Sequence, residues 1–244
     1  FISAAPIDAH SYHDIERRYG CRIVTMYGMT EAFPIAVKGV ADAGVPGTSG
    51  RPNPNFEVRI ADAEGNSVPA GTVGEITCRP NYPHVMSEGY VRHGASQLAP
   101  DAHRDWFHTG DLGKLDSEQN LTYVDRLKDS LRRRGENISS VELETVVMRH
   151  PAVLEAAAVG VPSQLGEDDV LLIVTVTPGA TLDYPELLDF CAARMPYFWV
   201  PRFVEVVSEL PKNGIGRIRK DLLRTRGLNT GAWDRDKYGY TVTR

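Results

Sequence analysis

At 244 residues, 42% of them hydrophobic and 24% charged, the chain can bury a good core as one large or two smaller domains. A formal net charge of −5 argues against a general nucleic-acid binder, even though Arg132-Arg133-Arg134 is locally basic. The longest apolar run, Val170 to Val176, is far too short to span a bilayer, and no charged head followed by a long apolar core opens the chain.

The chain starts at Phe1 and runs almost at once into a helical pattern. Asp8 to Tyr19 carries apolar residues at helical spacing and closes on Gly20, and the apolar strand Arg22 to Met26 follows. This reads as the middle of an αβ unit, so the residues are expected to be the C-terminal portion of a longer polypeptide. Phe56 to Ile60 and Val73 to Cys78 alternate like strands, with turns at Ala63-Glu64-Gly65-Asn66 and Pro69-Ala70-Gly71 between them. A small antiparallel barrel or sandwich fits this stretch.

The segment from His108 to Glu144 holds the most chemistry. Thr109-Gly110-Asp111 follows Trp106-Phe107, and Gly110 permits a tight turn that leaves the Asp111 carboxylate projecting from an apolar segment. A carboxylate placed there can accept both hydroxyls of a ribose. Asp116 to Asn120 reads as a hairpin turn and Leu121 to Val124 as a short half-buried strand. Arg126, at the end of that strand, can present its planar fork to ribose or phosphate oxygens. The alternative is that Asp111 and Arg126 form an ordinary surface ion pair.

From Ser139 the pattern changes to helix, strand, strand, helix, strand. Ser140 is expected to cap a helix running to His150-Pro151, with Glu142 and Glu144 in its first turns. Strands are predicted at Val153 to Val161, Val170 to Val176 and Arg202 to Val207, and a helix at Tyr184 to Met195. This is an α+β unit of its own, with the boundary near Lys128. Three cysteines, Cys21, Cys78 and Cys191, are odd in number, widely spaced and outside metal-ligand spacing, which points to a reducing cytoplasm.

With these pieces placed, the sequence resembles the adenylate-forming superfamily of acyl-CoA synthetases, peptide-synthetase adenylation domains and firefly luciferase. Ser3-Ala4-Ala5-Pro6 is similar to the segment lining the adenine pocket, Tyr27-Gly28-Met29-Thr30-Glu31 to the YGxTE motif, and Thr109-Gly110-Asp111 to the TGD motif. Asp125-Arg126-Leu127-Lys128-Asp129 followed by Gly135-Glu136-Asn137 resembles the hinge and the hairpin after it, and Leu210-Pro211-Lys212 to Lys220 the catalytic-lysine segment. GENISSVELE and Met195 to Arg202 look most like ligases of the carnitine/crotonobetaine type and their medium-chain or aryl relatives.

The resemblance implies α/β plus α+β architecture. Residues 1–126 would be the C-terminal part of the large AMP-binding domain, an αβ unit with a small β-barrel subdomain, and residues 127–244 a small mobile lid. It implies ATP, Mg²⁺ and CoA, a small carboxylic acid as substrate, no nucleic acid, no membrane span, and room for a homodimer. Ala4, Ala5 and Pro6 would line the adenine pocket, Tyr27 would stack on adenine and Tyr123 flank it. Asp111 would hold the ribose with support from Arg126. Thr30 would donate to the α-phosphate, Glu31 would ligate Mg²⁺, and Gly28 and Met29 would touch the acid. Lys128 would be the pivot and Gly135 would let the pantetheine chain pass, and Arg132, Arg133 and Arg134 would draw CoA phosphates or, for at least two of them, form a solvated basic turn.

Two departures stand out. The Gly-Lys pair that supplies the lysine for adenylation is here Gly216-Arg217, a non-conservative exchange at a tight site, with Lys220 and Lys212 as nearby substitutes. No Ser/Thr/Gly-rich phosphate loop ending in Lys occurs in the sequence, so the chain alone is expected to be inactive or nearly so. Loading of a carrier protein, or AMP binding without catalysis, are the alternatives.

Overall fold

A computed structural model describes residues 7, 9–40, 45–89, 106–133, 136–163 and 166–242. The chain divides into two compact units, Phe1–Leu127 and Lys128–Arg244.

Unit one holds α1 (Ala9–Tyr19), β1 (Thr25–Met29), β2 (Ala32–Lys38), β3 (Arg51–Pro52), β4 (Phe56–Ala61), β5 (Gly74–Pro80), β6 (Phe107–Leu115) and β7 (Leu121–Arg126). The helix falls where the periodicity puts it and stops at Gly20, whose φ of +60° takes the chain out of the helical path. The strand after it starts three residues later than expected, so Tyr27-Gly28-Met29 lies within β1. Two antiparallel sheets result, β1-β2-β3 and β4-β5-β6-β7. They share one core, in which Tyr27, Ile35 and Ala36 from the first meet Phe56, Ile60, Ile76, Cys78 and Leu121 from the second. The antiparallel reading of this stretch therefore holds. The β6–β7 hairpin is fixed at its turn, where the Asp116 carboxylate accepts the backbone N–H groups of Glu118 and Asn120 and the Asn120 side-chain amide. Those bonds from Asn120 keep Asp116 below the usual carboxylate range.

Unit two comprises β8 (Leu131–Arg133), β9 (Glu136–Ile138), α2 (Ser140–Val147), β10 (Val153–Pro162), β11 (Asp168–Val176), α3 (Tyr184–Ala192), β12 (Phe203–Val206), α4 (Lys220–Arg226) and β13 (Trp233–Asp234). Its sheet runs β10-β11-β12-β13, with β11 and β12 parallel and the other pairs antiparallel. Both faces are covered. Ala156, Ala158, Leu172 and Val174 pack with Leu143 and Val147 of α2 and Leu187, Leu188 and Cys191 of α3. The alternate residues Ala157, Val159, Leu171 and Ile173 pack with Leu210 and with Leu223 of α4. A strand buried on both sides has no polar face, which is why these two read as continuous apolar runs.

Three expectations for unit two need correction. The cap of α2 is Ser139, not Ser140: its Oγ accepts the Glu142 N–H at 3.1 Å while its backbone is still extended. The helix ends at Val147 rather than running to His150: the Arg149 and His150 N–H groups bond only three residues back, to Val146 and Val147, and Pro151 disfavours helical backbone at His150. Likewise α3 stops at Ala192, short of Met195. Beyond the predicted elements, the tail from Gly227 folds back on the sheet. There β13 pairs with β12, and Trp233 stacks between Tyr184 and Tyr238 with centroids 5.2 and 5.5 Å away. Arg235 donates to the Val200 carbonyl and Tyr240 to Asp189.

Candidate functional site

In unit one, Tyr27, Asp111, Arg126 and Tyr123 come together from β1, β6 and β7. Thr109-Gly110-Asp111 is not the tight turn expected from its glycine. It is a bulge inside β6: between the pairs Glu75↔Leu112 and Thr77↔His108, β5 advances by two residues and β6 by four. Gly110 takes up the extra length with φ +69°, and its N–H donates to Glu75 Oε1 at 3.0 Å. The other oxygen of Glu75 lies 2.7 Å from His108 Nδ1. Glu75 was not singled out in the sequence; its only sign was a carboxylate within an alternating apolar strand.

The bulge delivers Asp111 directly opposite Arg126 in the β6–β7 ladder. Arg126 Nε stands 3.0 Å from Asp111 Oδ1, and the Tyr27 hydroxyl donates to Oδ2 at 2.8 Å. This is not an ordinary surface pair, because the Asp111 side chain is 4% exposed against 42% for Arg126. Burial, with the Asp111 carboxylate beside it, holds the Tyr27 hydroxyl well above the ordinary phenol range, so it remains a donor. The Tyr123 ring is 6.3 Å from that of Tyr27 and tilted by 39°. The cluster thus presents aromatic rings beside a buried carboxylate and a half-exposed guanidinium, a set suited to a base and a sugar.

Thr30 and Glu31 form the turn between β1 and β2, with Thr30 exposed and Glu31 half-buried. Gly28 has a steric reason to be glycine: a Cβ there would lie 2.8 Å from the Ala32 carbonyl oxygen and 2.8 Å from the Phe33 ring. Met29 is half-buried next to it. Ala4, Ala5, Pro6, Arg134 and Gly135 lie outside the described residues.

In unit two, the segment proposed to carry the catalytic cation is a loop built on Asn213. Its Oδ1 accepts the N–H groups of Ile215 and Arg217, its own N–H donates to the Arg217 carbonyl, and Lys212 and Ile218 bridge below. Arg217 is exposed at the base of that loop. The two suggested substitutes are committed elsewhere. Lys220 lies 2.6 Å from Glu144 Oε1 and donates to Ser140 Oγ at 2.7 Å, with its side chain 13% exposed. Lys212 pairs with Glu155 at 2.5 Å. To act on a substrate, Lys220 would have to abandon a buried carboxylate, which weakens its candidacy beside Arg217.

The basic hairpin also sorts its arginines. Arg133 is buried, paired with Asp169 at 3.0 Å and donating to the carbonyls of Phe198 and Val200. The expectation that it draws a CoA phosphate is corrected by those bonds, while Arg132 is exposed. The first residues of the unit are held by α4: Arg224 donates to the Lys128 carbonyl and pairs with Asp129 at 2.5 Å. Lys128 itself is exposed in a turn.

Comparison with known proteins puts both clusters in one lineage. Residues 1–91 match the AMP-binding enzyme family and residues 142–217 the AMP-binding enzyme C-terminal domain. A crotonobetaine/carnitine–CoA ligase of Citrobacter koseri is 35% identical over 85% of this chain and 40% of its own length. ATP-bound MatB of Rhodopseudomonas palustris superposes with a TM-score of 0.79 at 29% identity, covering 92% of this chain and 44% of that one. An o-succinylbenzoate CoA synthetase of Bacillus subtilis, solved with its acyl-adenylate, gives 0.77 at 26% identity over 91% and 44%. The chain thus spans about two-fifths of the length of the curated relatives it matches. With the motifs in family order and both matches on the same chain, the protein belongs to the AMP-binding, adenylate-forming enzymes of the acyl-CoA ligase type.

Proposed function

We propose that the protein is an ATP-dependent acyl-CoA synthetase, activating a carboxylic acid as acyl-AMP and passing the acyl group to the thiol of CoA. The observation that carries this reading is the buried Asp111 carboxylate set between the Tyr27 hydroxyl and Arg126. Likeness to CoA ligases across most of the chain supports it.

In the first half-reaction a carboxylate oxygen attacks the α-phosphorus and pyrophosphate leaves with the bonding electrons. In the second, the thiolate sulfur attacks the acyl carbon and AMP leaves. Both steps need anions brought together and their charge neutralised. Tyr27 would stack on the base and Tyr123 flank it, Asp111 and Arg126 hold the ribose, and Thr30 donate to the α-phosphate. Gly28 and Met29 would border the acid. Arg217 would set a permanent positive charge between the acid and the α-phosphate. Among the described residues no group of three or more His, Cys, Asp and Glu side chains stands together. Glu31 would hold Mg²⁺ as a single carboxylate, in keeping with an ion that takes its other ligands from phosphates and water. When bound, it neutralises phosphate charge.

On this reading residues 1–126 are the C-terminal part of the large domain, 127–244 the lid, and Lys128 the pivot, with Arg224 anchoring the residues just past it. The hairpin, with Arg132 and Gly135, would serve the thiol half-reaction. No Ser/Thr/Gly-rich string ending in Lys that could grip the triphosphate occurs in these 244 residues. Among the described residues no helix is long and apolar enough to cross a membrane. The three cysteines of the chain, odd in number and widely spaced, lead us to place the protein in the cytoplasm.

The test is ATP–pyrophosphate exchange by the full-length protein over a panel of betaine, medium-chain and aryl acids, followed by thioester formation with free CoA. Acid-dependent exchange and a CoA thioester support the reading. Exchange with transfer only to a carrier-bound pantetheine would make it a carrier-loading enzyme. AMP binding without exchange on any acid would make it a binding module.

A further inference from the structure

The Tyr27 hydroxyl does more than satisfy itself in a core. It crosses from β1 to β6, two strands of different sheets, to reach Asp111 at 2.8 Å, and both residues are over 90% buried. A carboxylate rotates easily about its last bond, because that torsion is broad and roughly two-fold. Here the Asp111 backbone is already fixed by the bulge, with its N–H donating to Thr109 Oγ1 at 3.1 Å and that hydroxyl donating to the Ile76 carbonyl at 2.7 Å. The remaining freedom is the rotation of the carboxylate, and the Tyr27 donor bears on it. Arg126, far more exposed, is the partner able to give way.

Building on the ribose reading of Asp111, we infer that the Tyr27 hydroxyl is a positioning group that presets the Asp111 carboxylate for the ribose hydroxyls, a role separate from the stacking of its ring on the base. Presetting an acceptor removes an ordering cost from binding. Removing the hydroxyl therefore weakens nucleotides only through the hydroxyls of their sugar.

The experiment titrates the full-length protein and its Tyr27→Phe variant with AMP and with 2′,3′-dideoxy-AMP by calorimetry. Tyr27→Phe is expected to raise the Kd for AMP about tenfold, the scale of a hydrogen bond to a charged group, and that for the dideoxy nucleotide by less than about twofold. In exchange assays the KM for ATP rises while kcat holds. Equal weakening of both nucleotides would overturn the inference, since loss of stacking or of fold acts on both. If the unmodified protein does not prefer AMP to its dideoxy analogue, the ribose reading of Asp111 fails first and takes the inference with it. Melting curves check the fold. Should Tyr27→Phe not fold, Tyr27→His, which keeps an aromatic ring and a donor of different reach, is judged by the same two nucleotides and the same criterion.

Discussion

Lys220 at the start of α4 and Glu144 on α2 form a largely buried ion pair at 2.6 Å, and the same Glu144 oxygen accepts the Ala158 N–H of β10 at 2.7 Å. One carboxylate thus ties a helix on one face of the sheet, a strand within it and a helix on the other face. Lys220→Ala is expected to cost roughly 2–3 kcal/mol by stranding Glu144, lowering the melting midpoint by roughly 5–10 °C. Thermal melting checks this. A midpoint shift under about 1 °C would show that the pair does not hold the unit.

Arg217 should behave in the opposite way. It is exposed, so Arg217→Ala is expected to move stability by no more than about 0.5 kcal/mol. In the full-length protein the same change should lower ATP–pyrophosphate exchange about 100-fold, the scale on which a group meeting developing charge acts. Arg217→Lys should keep most of the exchange. Undiminished exchange in Arg217→Ala would remove this residue from the chemistry.

The two glycines of the candidate nucleotide site fail differently. At Gly110 an added Cβ meets nothing within 4 Å, so Gly110→Ala carries only the strain of φ +69°, about 1–2 kcal/mol. At Gly28 the Cβ collides with β2 backbone, and Gly28→Ala should cost more because the hairpin must open. Urea unfolding of the two variants ranks them; the reverse order would contradict the geometry.

The thiols give a pH-dependent test. Burial pushes Cys78 and Cys191 up from the ordinary value of 9.0 to about 12, while Cys21 is exposed. At pH 8 a disulfide reagent should react with Cys21 alone in the folded protein and with all three in denaturant. The folded state keeps both buried thiols protonated. Their contribution is therefore full below pH 9 and is lost as pH rises toward about 12, where the unfolded chain gains by ionising. Denaturant midpoints across that interval should fall.

Neighbouring arginines in the hairpin should part company as well. Arg133→Ala breaks a buried pair with Asp169 and two bonds to carbonyls, and is expected to cost roughly 3 kcal/mol or more. Arg132→Ala should leave the melting curve alone and raise the KM for CoA about threefold to tenfold. If Arg132→Ala leaves the KM for CoA unchanged, Arg132 has no part in thiol binding.

Much of this was readable from the residues. Alternating and continuous apolar runs pointed to β4, β5, β7, β10, β11 and β12, because burial on one face or two leaves a period in the chain, while β2, β3 and β6 are not among the predicted strands. What stayed hidden depended on distant partners. Gly110 signalled left-handed backbone, but whether that makes a turn or a bulge is decided by strand pairing on either side, which Glu75 and Leu112 show and local sequence does not. Lys220 and Arg217 are alike as cations three residues apart; only Glu144, far back in the chain, separates them. Arg133 is likewise told from Arg132 by Asp169 and the Phe198 carbonyl. Two elements, α4 and β13, are too short and polar to announce themselves.

The match to the AMP-binding enzyme C-terminal domain ends at residue 217, before α4 and before the tail that seals the sheet. A domain cut at that limit would lose Leu223 from beneath β10 and β11 and bare the backbone of Phe203 and Val204 along one side of β12. An uncovered strand edge recruits other strands. Such a truncation should assemble into dimers or aggregates through β12, whereas the chain with β13 in place should not.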